Sequence, residues 1–209
     1  MPIRRPFEGP EAVLALTVTL LTVASLADSA PAVNPSSSFH VSYVIGLKML
    51  ESGWDPVADQ LEFGIVDLDF RPRGWPFSPC VQVLTTYAPA VPSLRGLTGE
   101  YCGVWEINLG ARTIREVSDR WKPFLGAGVS YLGGSVSSYV VPPGSPGFQV
   151  IEDSDANVGV WGSGGFYRYV SRRWHIGLEV QYSWGEITLF DEPLRAGGLH
   201  ALAMVGYHR

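Results

Sequence analysis

The chain has 209 residues, a net charge of −5 and a pI near 5.3, so it carries no basic field that would hold nucleic acid. Aromatic residues make up 12% and charged residues 17%, and with 24 glycines and no helical periodicity after residue 30 this composition predicts one all-β domain. The two cysteines match no metal-ligand spacing, and no zinc, phosphate-loop or nucleophile-elbow motif occurs, so we expect no cofactor and no metal.

The N-terminal segment has the pattern of an export signal. Arg4 and Arg5 precede an uncharged run that ends at Ser25-Leu26-Ala27, where small residues stand at the positions expected for cleavage. The alternative is a membrane-anchoring helix, but the uncharged run is shorter than the about 20 residues that cross a bilayer. We therefore expect a signal peptide over residues 1–27 and a flexible lead-in over residues 28–37.

From residue 38 onward, apolar and polar side chains alternate with the period of two that is typical of β-strands. In the first alternating run, for example, Ile45 and Leu47 share one face and Lys48 lies on the other. Eight such runs predict eight strands, near residues 39–49, 66–71, 81–87, 101–113, 125–131, 158–170, 174–184 and 199–209.

The seventh run, Trp174 to Trp184, is the clearest because it alternates throughout and has tryptophan at both ends. Its ten steps, at about 3.3 Å each and tilted by about 40°, rise about 25 Å, which is about the height of the lipid-facing band of an outer-membrane barrel. Aromatic residues at both ends of such strands predict two interfacial girdles. The predicted girdle residues are Tyr43, Trp105, Tyr131, Trp174, Tyr182, Trp184 and Tyr207.

The polar faces carry charged and amide side chains that an eight-stranded barrel would turn into its lumen. This predicted lumen network comprises Lys48, Asp67, Asp69, Arg71, Glu106, Asn108, Arg112, Glu179 and Gln181. The network is either a selective pore or proton-linked gate, or an interior filled by charges that pair with one another; we favour the second. The histidines at positions 40, 175, 200 and 208 are separated by strands along the chain, so they predict no metal site.

The predicted connections differ in length between the two ends of the strands. Compact turns are expected at residues 114–120 and 171–173, and a longer turn at 71–79. Long loops are expected near residues 51–60, 88–99, 135–156 and 190–196. Short turns at one rim and long loops at the other are the outer-membrane pattern. In the longest loop, Glu152, Asp153 and Asp155 either bridge divalent cations at a lipopolysaccharide surface or are simply solvated.

Several segments together resemble the outer-membrane β-barrel domain family, the group of small OmpA- and OmpW-like barrels. They are DLDFRPRGWPFSP, WEINLGAR followed by WKPFLGAGVSYLGG, RRWHIGLEVQYSWGEITLF and the closing GGLHALAMVGYHR. The resemblance covers about residues 38–209, the barrel domain. It implies an eight-stranded antiparallel transmembrane barrel in the outer membrane of a Gram-negative bacterium, with both termini in the periplasm. It also implies insertion by the outer-membrane assembly machinery and contact with outer-membrane lipid and lipopolysaccharide, although the chain ends on Arg209 where such chains usually end on an aromatic residue.

These patterns favour a structural or surface-interaction role in the cell envelope, carried out by a monomer. The first alternative is a narrow porin for small solutes, and the others are a rim-located lipid-modifying enzyme and a soluble lipocalin-like binder. A hydrolase would need a trio such as Ser183, His200 and Glu179, which alternation places on inward faces near one rim, but we expect no enzymatic activity.

The two cysteines test the predicted register. Cys80 and Cys102 open adjacent antiparallel strands at opposite rims. A disulfide tolerates a Cα separation of about 4.4–6.8 Å, which is far less than a strand length. The alternation therefore predicts that both remain thiols.

Overall fold

The protein folds as a closed eight-stranded antiparallel β-barrel, which confirms the predicted fold class. The computed structural model describes residues 37–51, 59–94, 97–140 and 149–209, so the predicted signal peptide lies outside the described residues. The barrel strands are β1 (Ser38–Leu50), β2 (Asp59–Arg71), β3 (Ser78–Leu94), β4 (Leu97–Ile114), β5 (Trp121–Val140), β6 (Gln149–Tyr169), β7 (Trp174–Trp184) and β10 (Gly198–His208). A separate hairpin consists of β8 (Glu186–Leu189) and β9 (Glu192–Arg195). None of the described residues belongs to a helix long and apolar enough to cross a membrane.

The barrel closes because β10 pairs with both β1 and β7, while the other barrel strands pair with their neighbours in the chain. At the short-turn end, Phe39 and Arg209 exchange two backbone hydrogen bonds of 2.9 Å. The first strand and the end of the last strand are therefore fixed to each other, and the sheet has no open edge over the length of β1 and β10.

The barrel is apolar outside and polar inside. On β7, Leu178 is 53% exposed, whereas its neighbour Glu179 is buried. Apolar side chains are exposed in the same way on the other strands, among them Ile45, Leu47, Leu61, Leu109, Val129, Val160, Ile176, Val180 and Val205. A soluble lipocalin-like barrel turns its apolar face inward around a ligand, so this polarity argues against that alternative.

The predicted loops at 88–99 and 135–156 are wrong, because the strands continue through the described parts of both segments. β5 and β6 run for 20 and 21 residues, whereas β7 has 11. Beyond the apolar band the regular alternation disappears, as in Glu152-Asp153-Ser154-Asp155 of β6, while the backbone ladder continues. The four central strands β3 to β6 therefore extend well past the others at the long-loop end.

The predicted loop at 190–196 is also wrong, since it contains half of the β8–β9 hairpin. Phe190 and Asp191 connect the two strands, with φ angles of 51° and 62°. Positive φ at both central residues is the conformation of a two-residue type I′ turn, which lacks its usual Asn-Gly signature here. Sequence patterns for hairpins therefore missed it.

The cysteine prediction agrees with the structure, in which no disulfide joins the two residues. Cys80 pairs with Gly110 and Cys102 pairs with Ala88. The two pairs are eight residues apart along β3, or about 26 Å at the rise of an extended strand.

The exposed apolar band generates the first testable prediction. Leu178→Arg places a charge on the outer face in the middle of the band, and we expect it to lower the free energy of unfolding by about 2–4 kcal/mol in lipid vesicles. The matched control is Val150→Arg, since Val150 is 45% exposed but lies on the extension of β6. Urea titration of both variants in vesicles measures the difference, and equal losses would contradict a lipid-facing band.

Candidate functional site

The lumen near the long-loop end holds four ionisable groups and one hydroxyl in mutual contact, which we call the upper cluster: Lys48, Glu62, Glu106, Ser183 and His200. Lys48 Nζ donates to Glu106 Oε1 and to the carbonyl oxygen of Ala196, the latter at 2.9 Å. Glu62 accepts from His200 Nδ1 at 2.7 Å. All five side chains are buried, so their charges are compensated by one another and not by solvent.

The upper cluster contains the serine and histidine of the hypothetical hydrolase, but not its predicted acid. Ser183 Oγ lies 2.9 Å from His200 Nε2, while Glu62, and not Glu179, contacts the other ring nitrogen. Ser183 Oγ also donates to Glu106 at 2.8 Å. The Ser183 hydroxyl hydrogen is therefore directed at the Glu106 carboxylate. His200 Nε2 then donates a hydrogen bond to Ser183 and cannot accept its proton as the general base of a hydrolase would.

Arg112 is the centre of the lower part of the lumen. Its guanidinium donates to Asp67 at 2.7 Å and to both oxygens of Glu179 at 3.0 and 3.1 Å. It also donates to the Tyr167 hydroxyl at 3.0 Å, and that hydroxyl donates to Asp69 at 2.8 Å. These partners come from β2, β6 and β7, so one side chain of β4 connects four strands across the lumen.

Amide and hydroxyl side chains extend the network from Glu179 across β3 to β5. Gln82 donates to Glu179 at 3.3 Å, Asn108 donates to Gln82 at 3.2 Å, and Ser130 donates to Asn108. Gln181, in contrast, is buried with neither its amide oxygen nor its amide nitrogen bonded within the described part of the chain. The predicted lumen residue Gln181 therefore lies in the lumen but does not join the network.

At the short-turn mouth, three histidines that are far apart in the sequence lie close together in space. The ring centroids of His40, His175 and His208 are 5.4, 5.7 and 6.2 Å apart. Barrel closure explains the difference, because β10 lies between β1 and β7. His40 Nδ1 bonds Asp69 at 2.8 Å and its Nε2 bonds the Tyr169 hydroxyl at 2.7 Å. Within the described residues, no group of three His, Cys, Asp or Glu side chains could hold a metal ion.

An apolar cluster covers the other mouth above the upper cluster. The β8–β9 hairpin turns Ile187, Leu189 and Leu194 inward. They pack with buried residues of the barrel wall, namely Leu50, Cys102, Val104, Leu132, Val136 and Ala196. We call this hairpin the cap, because it covers the lumen at the long-loop end.

The cap is attached to β6 by side chains. Asp155 accepts from the Thr188 backbone N–H at 2.6 Å, and Asp153 accepts from the Phe190 N–H at 2.5 Å. Asn157 donates to the Glu186 carbonyl at 2.9 Å. Asp153 and Asp155 were predicted to bridge cations or to be solvated. They instead accept hydrogen bonds from backbone N–H groups of the cap.

On the opposite side, the cap is held by an ion pair. Arg195 of β9 donates to Glu51 at 2.6 Å, and Tyr182 donates to the same carboxylate. The hydrogen bond to Glu51 raises the pKa of Arg195 above its ordinary value. The predicted girdle residue Tyr182 thus contacts Glu51, the residue that pairs with Arg195 of the cap.

The other predicted girdle residues are partly or largely exposed on the outer face of the barrel. Trp174 and Tyr207 pack edge to face at 6.4 Å at the short-turn end. Trp105 and Tyr131 pack at 5.4 Å on β4 and β5. Trp184 is exposed at the far end of β7, and Tyr43 is exposed on β1.

Two members of the site illustrate how the predicted set differs from the observed one. Arg71, predicted in the network, bonds the Ile114 carbonyl at 3.0 Å and Glu116 at 3.2 Å at the short-turn rim. Glu62 was missed because β2 contains a bulge between Gly64 and Val66, which reverses the alternation. The alternation of Leu61, Glu62 and Phe63 is nevertheless present in the sequence and, read separately from residues 66–71, would have found it.

Comparison with solved structures shows the fold alone. The sequence matches no family model and no curated protein. Neisserial surface protein A is 12% identical with a TM-score of 0.54, over 85% of this chain and 97% of that one. Ail, the attachment invasion locus protein of Yersinia pestis, is 13% identical with a TM-score of 0.51, over 83% and 97%. A major outer membrane protein from Thermus thermophilus is 10% identical with a TM-score of 0.56, over 84% and 100%. The chain therefore has the fold of outer-membrane β-barrels.

Replacing Arg112 tests the hydrogen-bond network that this residue centres in the lower part of the lumen. Arg112→Met leaves Asp67 and Glu179 buried without their cation, and we expect a loss of about 3–5 kcal/mol in the free energy of unfolding. The double variant Arg112→Met/Glu179→Gln removes one of the stranded charges and should recover part of that loss. Urea titration in vesicles measures both, and a single-variant loss below about 1 kcal/mol, typical of exposed pairs, would contradict the network.

Removing the cap anchors tests a different part of the site. In Asp153→Ala/Asp155→Ala the amides of Thr188 and Phe190 lose charged acceptors, so we expect backbone hydrogen exchange over residues 186–195 to accelerate by about tenfold or more. Mass spectrometry of exchange in β7 should show no change. Glu152→Ala is the control, since Glu152 is an exposed neighbour. An effect as large in the control would contradict specific attachment of the cap.

Proposed function

We propose that this protein is a bacterial outer-membrane barrel with a structural or surface-interaction role in the envelope. The observation that carries the proposal is the inverted polarity of a closed barrel, with an apolar outer face around a lumen of mutually paired charges. A bilayer covers the outer face, and the paired lumen removes the need for water inside. Within the lipid band every barrel strand pairs on both sides, which favours a monomer, whereas residues 149–159 of β6 pair only with β5.

We place the short-turn end, with both termini of the barrel, in the periplasm. The long-loop end then faces outward, as in barrels with short periplasmic turns and longer extracellular connections. In this orientation Trp174 and Tyr207 belong to the periplasmic girdle and Trp184 to the outer one. Lipid and lipopolysaccharide are the neighbours that this placement requires, and the assembly machinery is the expected route of insertion.

The surface part of the role is assigned to the extended strands. β5 has 20 residues, which at about 2.5 Å of axial rise each gives about 50 Å, twice the height of the lipid band. The extension of β3 to β6 and the cap would therefore project from the membrane. Because the cap is packed into the mouth, this end of the protein offers a folded surface for contact with other molecules.

A narrow pore is the second candidate, and unpaired polar atoms in the lumen favour it. Glu62 Oε1, Asp67 Oδ2, Glu106 Oε2, Arg112 Nε and the Gln181 amide have no protein partner among the described residues. Buried polar groups of this kind bind single water molecules. A chain of such waters would be a path for small solutes, although the cap and the Arg112 network lie across it.

Conductance separates the two candidates. In planar bilayers we expect the unmodified protein to show little or no steady ion conductance, because its lumen is plugged. Arg112→Ala opens the network around Arg112, and Glu106→Ala opens the upper cluster. Conductance should increase in both variants. Arg172→Ala, at the exposed turn between β6 and β7, is the control for loss of a cation. A reproducible open state of the unmodified protein in single-channel recordings would favour the pore.

A further inference from the structure

The short-turn rim carries a group of arginines that the lumen does not use. They lie on two neighbouring turns and on the adjoining end of β6, and we call them the arginine arc: Arg115, Arg120, Arg168, Arg172 and Arg173. The backbone N–H of Tyr169 donates to the Arg120 carbonyl at 2.8 Å, which joins the two turns. The arc is therefore one continuous stretch of the rim.

In the part of the chain that the structure describes, the acids on the turn of Arg115 and Arg120, Glu116 and Asp119, do not pair with the arginines of the arc. No arginine of the arc lies within ion-pair distance of a carboxylate there. The nearby Glu116 is occupied by Arg71 at 3.2 Å and Lys122 at 3.4 Å. Arg112 in the lumen, in contrast, contacts several acids. Hence the rim exposes positive charge that an external anion would neutralise.

The arc also lies at the edge of the apolar outer face. The Arg168 guanidinium carbon is 5.3 Å from the centroid of the Trp121 ring, which packs on Phe166 at 5.1 Å. Arg173 directly precedes the exposed Trp174. Tryptophan at this position lies at headgroup depth, so the adjoining guanidinium groups are level with lipid phosphates.

We propose that the arginine arc binds the phosphate headgroups of anionic phospholipids in the leaflet at the short-turn rim. This inference rests on the proposed membrane insertion. Guanidinium groups match phosphate through paired N–H donors, and the attraction is retained at an interface of low dielectric. At the opposite end the described charges around the cap are mainly acidic, including Glu51, Glu186 and Glu192, so the preference should be confined to one rim.

Spin-labelled lipids test both the insertion and the preference. The protein is reconstituted in phosphatidylcholine vesicles that contain trace spin-labelled phosphatidylglycerol or phosphatidylcholine, and electron paramagnetic resonance measures the motionally restricted fraction of each. We expect the unmodified barrel to select phosphatidylglycerol by on the order of threefold. The triple variant Arg120→Gln/Arg168→Gln/Arg173→Gln should lose the preference, whereas the corresponding triple lysine variant, which keeps the charge, should retain it. Arg195→Gln, at the opposite end, should behave like the unmodified protein.

The outcomes are distinguishable. If neither lipid shows a restricted fraction, the barrel does not insert and the proposed function fails. A restricted fraction that is equal for the two lipids overturns the arginine arc alone, and so does an unchanged preference in the triple glutamine variant. Adding inorganic phosphate at constant ionic strength shows whether the arc binds free phosphate in preference to a lipid headgroup. Loss of the lipid preference in phosphate would show that the arc binds free phosphate and overturn the lipid assignment.

Discussion

A barrel that is apolar outside has to bury its charges inside, and the Arg112 network is where this constraint is concentrated. The guanidinium contacts Asp67, Glu179 and the Tyr167 hydroxyl, and it lies 4.9 Å from the Phe124 ring centroid. Space for it comes from Gly126, where an added Cβ would approach Arg112 Cγ to 2.9 Å. The packing of five strands thus depends on one ion whose two terminal nitrogens both bond carboxylates, since an unpaired charge in the lumen would cost several kcal/mol.

The same constraint arranges the lumen in layers. At one mouth, the rings of Tyr169 and His208 stack with 3.6 Å between their centroids, and His40 stacks on Tyr167 at 4.7 Å. Two charged layers follow, each with its cations and carboxylates in contact, and the apolar cap closes the other mouth. Alternating ring, ion and apolar layers give most of these side chains a neighbour of matching chemistry. Buried polar atoms such as Glu62 Oε1 and Asp67 Oδ2, which have no partner among the described residues, lie within the two charged layers.

The sequence predicted the parts of this structure in which one face meets an apolar environment. The alternation of Trp174 to Trp184 is complete because every outward residue of β7 faces that environment. The prediction failed in the extensions of β5 and β6, where runs such as Glu152 to Asp155 do not alternate. The prediction also missed Glu62, because the β-bulge after Gly64 shifts the alternation by one residue. Contacts that depend on closure, such as that between His40 and His208, need the strand order, which no local pattern contains.

The cap and the barrel wall are held by different kinds of interaction, so they differ in how easily they open. The wall is a continuous backbone ladder closed on itself, so it opens only if many hydrogen bonds break together. The cap is attached through side chains of Asp153, Asp155 and Asn157, an ion pair with Glu51 and an apolar contact. Each of these can be lost separately without breaking a barrel hydrogen bond. Local opening of the cap therefore costs less free energy than opening of the barrel. The cap can therefore open while Arg112 and the charges around it keep the barrel folded.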